Sequence, residues 1–246
     1  MEGGISMKLA YLKGLRTSRL LEVEQIINVV DDCWLVHLRA GKDLTWTPGE
    51  HGIFTLPGRR VRGKCFRAFS VASVPREGVI LLGMRTGREP SDFKHKLLSF
   101  QQGDTVRMRG PFGGFVRRDS SSPVVLIARG IGITPMRALV LSLLDGGEMK
   151  AHVIHRARRH LFRDFFEQLQ GENPQLTLNF PDDDQGFDQD IKHAAAKYGS
   201  GAYWYVAASP GEIRMIKREL KSLGIPTGRI ITDPFYGYSR SYSASG

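Results

Sequence analysis

The chain has 246 residues, enough for two ordinary domains or one large one. With 41% hydrophobic and 24% charged residues it is a globular chain and not a disordered one. The net charge of +10 suits nucleic acid, an anionic membrane face or phosphate-bearing cofactors, but aromatics interleaved with a basic stripe are missing, so no nucleic acid is expected. No apolar run of about 18 residues and no signal-peptide pattern occurs, so the chain is not expected to span a membrane. Two cysteines, Cys33 and Cys65, cannot build a disulfide framework or a metal cage. Both sit in apolar strand-like runs, which predicts buried thiols, a reducing compartment and a cytoplasmic protein.

Residues 1–6 read as a leader. Alternation predicts two strands at 19–30 and 33–39 around the turn Asp31-Asp32, and a third at 51–56 after the turn Thr47-Pro48-Gly49-Glu50. A basic loop, 58–63, precedes the run 64–73, in which Arg67-Ala68-Phe69-Ser70 sets a cation, a ring and a hydroxyl within four residues. In an extended chain Arg67 and Phe69 point one way and Ala68 and Ser70 the other. That arrangement could seat an anion under Arg67 and a flat ring against Phe69; alone, it also describes a barrel strand with a core Phe. A strand at 78–85, a helix from Ser91 to about 100 and a strand at 105–109 follow. Several short strands with one helix predict a closed antiparallel barrel.

At Asp119 to Pro123 the composition turns polar and the period changes. Strands are expected at 123–128, 150–155, 175–180, 202–208 and 229–232, and helices at 134–144, 161–169, 188–197 and 212–223. This alternation predicts a doubly wound parallel sheet, hence a β domain over 1–118 and an α/β domain over 119–246. The tail 239–246 is expected to be loose.

Two further stretches carry chemistry. Gly87-Arg88-Glu89-Pro90-Ser91 leads into a helix N-terminus, where free N–H groups favour an anion, or where Ser91 is an ordinary cap. Gly130-Ile131-Gly132-Ile133-Thr134-Pro135 sits between the first apolar strand and first helix of the α/β half, where glycines let a phosphate approach the backbone. After the strand at 150–155 come Arg156, Arg158 and Arg159 with no carboxylate until Asp164. Such a loop favours a 2′-phosphate over a free ribose hydroxyl. His152, His155 and His160 are close in sequence, yet strand alternation is expected to scatter them.

In this order the motifs resemble the ferredoxin–NADP⁺ reductase superfamily over roughly residues 23–235. Arg67-Ala68-Phe69-Ser70 is similar to its Arg-x-Tyr-Ser motif, Pro48-Gly49-Glu50-His51 to its Pro-Gly-Gln-Tyr/His turn, and Gly87 to Ser91 to its second flavin-phosphate motif. The resemblance implies a six-stranded flavin-binding barrel and an NAD(P)-binding domain. Arg67 and Ser91 would hold the phosphates of FAD, Phe69 would pack on the isoalloxazine, and Ser70 would hydrogen-bond N5. Ala68, His51 and Gly87 would complete the flavin site, and Arg129, Gly130, Gly132, Thr134, Pro135, Arg156, Arg158, Arg159, Ala208 and Phe235 the site for NADPH (or NADH).

The chain departs from the family pattern in three places. Phe69 replaces the Tyr, Arg129 stands where a Gly often precedes Gly130, and Ala208 stands where many members have Cys. There is no Cys-rich segment for an iron–sulfur cluster. The expected activity is electron transfer from NAD(P)H through FAD to a redox partner protein or small acceptor, by a monomer. Two alternatives stand beside it: a flavin-binding module without reductase activity, and the cytoplasmic half of a membrane electron-transfer protein. In the latter, residues 8–16 would be a linker and the basic surface would meet an anionic membrane face.

Overall fold

The computed structural model of the chain describes residues 17–145 and 150–234. The stretches 1–6 and 8–16, Phe235 and the tail 239–246 lie outside the described residues. The chain divides into two compact units, residues 17–117 with 137–142 and residues 118–136 with 143–234.

The first unit is a six-stranded sheet of β1 (Ser18–Val30), β2 (Cys33–Arg39), β3 (His51–Thr55), β4 (Phe66–Ser70), β5 (Val79–Arg85) and β6 (Thr105–Phe112). The order is β4-β3-β6-β1-β2-β5, and its neighbouring strands pair antiparallel. Alternation sets the inner face: Val36 and Leu38 of β2, Phe54 of β3, Ile80 and Leu82 of β5 and Met108 of β6 are essentially fully buried. Helix α1 (Asp92–Leu98) adds Phe93 and Leu97, an i, i+4 pair on one helix face, to the same core.

The six antiparallel strands are as expected; one strand end and the completeness of the closure differ. β6 continues to Phe112 and does not stop at Arg109, because His51 pairs with Phe112 beyond a register shift. The two edge strands, β4 and β5, share no ladder; beyond the strand ends a single bridge, Val71–Leu82, joins the edges. The sheet therefore curls almost to closure but leaves a seam along Phe66–Ser70. Cys33 is buried as expected, and burial pushes its thiol up to about 11. Cys65 is exposed, since it precedes β4 in the loop and has no inner face to occupy.

From residue 118 the chain alternates β7 (Val124–Arg129), α2 (Ile133–Leu144), β8 (Ala151–Arg156), α3 (Arg163–Glu172), β9 (Leu176–Asn179), α4 (Asp184–Tyr198), β10 (Tyr203–Ala208), α5 (Pro210–Ser222) and β11 (Ile230–Pro234), all in the second unit except residues 137–142 of α2. The sheet of that unit is parallel with the order β11-β10-β7-β8-β9. Central β7 is apolar throughout Val124–Ala128, as a strand covered on both faces must be. The chain leaves β7 first toward β8 and later, through β10, toward the opposite edge. The carboxyl ends of β7 and β10 are thus the switch point where such sheets bind ligands.

α4 starts at Asp184, four residues before the expected 188, because the Asp183 side chain accepts from the Gly186 N–H at 2.7 Å. Ser209 and Glu212 form a reciprocal capping box that starts α5 at Pro210.

Candidate functional site

The seam of the first unit gathers its cations. On β4, Arg67 and Phe69 share a side, as alternation predicts: both approach Phe93 of α1, the guanidinium at 5.4 Å and the ring at 6.4 Å. Arg67 Nη1 donates to the carbonyls of Lys64 (2.9 Å) and Phe66 (2.8 Å), which fixes the side chain at the strand edge. No carboxylate among the described residues pairs with Arg67, and burial pushes its guanidinium down from the usual value.

Beside it lies Lys94, whose Nζ donates to the Arg85 carbonyl of β5. Burial, and then repulsion by Arg67, bring the Lys94 ammonium down to about 8. Two partly buried cations held against each other make a site that an anion would stabilise. Sequence reading missed Lys94. Its signal was its place three residues after the Ser91 cap, on the first turn of a helix adjoining Arg67.

Other members of this set are placed differently from expectation. Ser91 is the N-cap, its Oγ accepting from the Lys94 N–H at 3.4 Å. The Gly87 N–H, in the turn before the helix N-terminus expected to hold an anion, donates to Asp32 Oδ2 at 3.0 Å, and the same carboxylate accepts from Arg85 Nε at 2.8 Å. The hairpin turn of β1 and β2 thereby pins the Gly87 loop. Phe69 is only 9% exposed and belongs to the core, 5.7 Å and edge-on from Phe54. With no phenol to bond at the surface, its ring is held by hydrophobic packing. Ala68 is exposed on the other side of β4. Ser70 ends the strand at 5% exposure, paired with His51, whose ring packs edge-on against Phe112 at 4.7 Å.

In the second unit the turn Gly130–Gly132 follows β7 directly. Gly130 has φ +53°, and a Cβ there would meet nothing within 4 Å, so the side where a side chain would stand is open. At Gly132 the opposite holds: a Cβ would lie 2.0 Å from the Ala207 carbonyl oxygen, so only glycine lets the turn pack on β10. Thr134 is buried and its Oγ1 donates to the Ile131 carbonyl at 2.8 Å, which holds the turn from inside. Pro135 lies in the first turn of α2, and Ala208 is 1% exposed at the end of β10.

The arginines of this unit are not alike. Arg129 was expected to touch or crowd a nucleotide. Its Nη2 instead pairs with Asp184 Oδ1, its Nε lies 3.2 Å from Glu212 Oε1, and its guanidinium sits 5.1 Å over Phe187. Arg156 Nε lies 3.7 Å from the same Asp184, so the loop after β8 has a carboxylate after all, supplied from the start of α4. Arg158 and Arg159 are exposed.

The three histidines also need correction. His152 Nε2 is 2.5 Å from Asn179 Oδ1, but His155 and His160 meet, Nδ1 to Nδ1, at 3.2 Å. The loop after β8 turns His160 back onto the strand that alternation alone would leave it outside. Among the described residues no group of three or more side chains could hold a metal ion, and no helix is long and apolar enough to cross a membrane.

No family model matches the sequence. Over 202 residues, 70% of this chain, it is 28% identical to a Na(+)-translocating NADH-quinone reductase subunit, that of Actinobacillus succinogenes. Over 232 residues, 87% of the chain, it is 26% identical to a flavohemoprotein of a Burkholderia species. The matches take in 49% and 58% of those proteins, so the chain spans about half the length of the curated relatives it matches.

Among solved structures it superposes on a variant of ferredoxin–NADP⁺ reductase from Plasmodium falciparum with 2′P-AMP at a TM-score of 0.76, with 11% identity, covering 90% of this chain and 97% of that one. The cytochrome b5 reductase domain of Ulva prolifera nitrate reductase gives 0.75 at 17% identity, with 89% and 98% covered. The two-sheet fold is that of these solved structures.

Proposed function

We propose that the chain is a flavin-dependent oxidoreductase of the ferredoxin–NADP⁺ reductase type, carrying electrons from NAD(P)H to a one-electron acceptor. One observation carries this reading above the others: the seam between β4 and β5 holds Arg67, which pairs with no carboxylate among the described residues, beside Lys94, whose charge is already strained. The donor set fits the pyrophosphate of FAD, because an anion there relieves the repulsion and forms charge-assisted hydrogen bonds. Bound FAD would supply hydride acceptance and one-electron release, chemistry that no side chain of this protein can perform.

What the protein adds is position and electrostatics. Arg67 and Lys94 hold the phosphates, α1 carries Lys94 and backs Arg67 with the Phe93 ring, and Ser70, at 5% exposure, presents a hydroxyl in a place from which water is excluded. In the second unit the open side of Gly130 and the forced closeness of Gly132 to β10 fit a nucleotide phosphate, with Arg158 and Arg159 reaching toward the ribose side. The acceptor is a redox partner protein, a haem or a small molecule, met through a basic surface that also suits an anionic membrane face. The compartment is the reducing cytoplasm, and the working unit is a monomer.

The test is anaerobic titration of the purified yellow protein with NADPH and NADH, followed by mass analysis of the released chromophore. Bleaching with FAD as the released species supports the reading; colourless protein that takes up no FAD ends it. A second reading rests on Ala208, whose methyl is buried and inert where family members have a thiol. A module that keeps FAD without the reaction would be yellow yet not bleached by either nucleotide.

A further inference from the structure

Next to the glycine turn is a pair of histidines that the proposed chemistry does not use. His155 is fully buried at the end of β8, and burial holds its imidazole down to about 3, so the ring is neutral. Its Nε2 lies 2.9 Å from the carbonyl oxygen of Gly130. A carbonyl can only accept, so Nε2 carries the ring's single proton and Nδ1 is bare. Nδ1 of His160 approaches that bare nitrogen at 3.2 Å, so it must be protonated and donate. Both tautomers follow from the one carbonyl: His160 Nδ1–H to His155 Nδ1, and His155 Nε2–H to Gly130.

The two rings are perpendicular, with centroids 4.8 Å apart, and both rest edge-on against Phe180, at 6.2 Å and 5.1 Å. Arg163 covers Phe180 at 5.1 Å. The relay therefore joins three segments: the turn after β7, the loop after β8 and the strand end after β9. The Gly130 peptide matters because it is planar and trans, so its carbonyl and the Ile131 N–H point in opposite directions. Drawing the carbonyl toward β8 aims that N–H away from β8.

We propose that His155 and His160 are positioning residues for the nucleotide, fixing the Gly130–Ile131 peptide and tying it to the loop that carries Arg156, Arg158 and Arg159. The proposal rests on the reading that the second unit binds NAD(P)H. Its consequence is that affinity for the phosphates and affinity for the ribose end are coupled through two imidazoles that touch neither.

The experiment uses the full chain loaded with FAD, the nucleotides NADPH and NADH, and ¹⁵N spectra of the histidine rings. His155→Phe removes the donor at similar bulk and is expected to raise the KM and Kd of NADPH about fivefold, the worth of one hydrogen bond, with kcat and FAD occupancy kept. His160→Phe is expected to raise KM less, and His160→Gln, which keeps a donor, to restore it. The ring spectra are expected to show Nε2–H at His155 and Nδ1–H at His160. The opposite tautomer at either ring overturns the relay, and it does so even if His155→Phe fails to fold. An unchanged NADPH KM in a folded His155→Phe overturns the positioning role. Wild-type protein that shows both tautomers but binds neither nucleotide overturns the reading of the second unit, and with it the role given to the pair.

Discussion

Arg67 of the first unit and Arg129 of the second are both partly buried, and both stack over a phenylalanine, at 5.4 Å and 5.1 Å. They differ in what surrounds the charge. Arg129 is held by Asp184 and Glu212, from the first turns of two helices, so its charge is answered within the fold. Arg67 leans on carbonyls and on Phe93, with Lys94 adding a second positive charge. A cation with built-in counter-charges reads as scaffold, whereas one kept without them reads as a place for a ligand. The sum of charges cannot make that distinction, because it depends on partners far off in the chain, the nearer of which, Asp184, is 55 residues away.

The sharpest way to break the comparison is to remove each arginine in turn. Arg67→Ala is expected to lose roughly 1.5–3 kcal/mol of FAD binding, a factor of about 10 to 150, read as flavin occupancy after purification and as Kd by fluorescence. Arg129→Ala should leave FAD occupancy unchanged. Equal flavin loss in the two variants would erase the distinction.

The next effect is one of pH. Lys94 without ligand sits at about 8, below its unfolded value, so the unfolded state binds more protons between about 8 and 10.5. Stability of the FAD-free protein contributed by this group is therefore lower below pH 8 and recovers as pH rises toward 10.5. An anion favours the charged form, so FAD binding takes up a proton. Affinity is expected to fall as pH rises above 8, by at most about tenfold per unit. Lys94→Met should bind FAD more weakly at pH 7, flatten this dependence, and melt no lower than wild type when both are free of FAD. A pH-independent wild-type Kd between 7 and 9.5 would remove Lys94 from the site.

A smaller effect concerns the nucleotide. Asp184 reaches Arg156, so Arg158 and Arg159 carry the proposed preference for a 2′-phosphate. Arg158→Ala is expected to lower kcat/KM for NADPH about threefold at low salt and to leave NADH unaffected, since an exposed pair is worth at most about 1 kcal/mol. The difference should fade as ionic strength screens it. Equal use of both nucleotides by the wild type at low salt would remove the preference.

The smallest is thermal. Asp184→Ala should lower the melting temperature by a few degrees through Arg129 and Arg156 while sparing the flavin. Any loss of FAD in that variant would mean that the carboxylate serves the site as well.

Much of the architecture was legible because it is local. Alternation placed β1 within one residue of Ser18–Val30, and the change of period near Asp119 marked where antiparallel pairing gives way to a parallel sheet. The Gly-x-Gly turn announced itself by following an all-apolar strand. What escaped is set by distant pairing. Cys65 and Phe69 look alike in an alternating run, yet one is exposed and the other joins the core, because a strand starts between them at Phe66. Asp32 taking the Gly87 N–H, Lys94 lying beside Arg67, and His160 folding back on His155 all need the tertiary path of the chain. The helix start at Asp184 was a local miss: Pro181 to Asp184 reads as polar loop, and it hid the Asp183 cap.

The incomplete closure of the first sheet has a consequence for the protein when no flavin is bound. Among the described strands β4 has a ladder partner on one side only, and it begins at Phe66, which is 48% exposed. Edges of this kind are templates for another chain's strand, and natural sheets guard them with charge or cover. Here the guards are Arg67 and the basic loop before it, whose mutual repulsion weakens in salt. Flavin-starved preparations are therefore expected to self-associate as salt rises, through strand addition that a seated cofactor would block. The exposed Cys65 thiol at the mouth of that edge offers a way to trap the pair by oxidation and count it on a non-reducing gel.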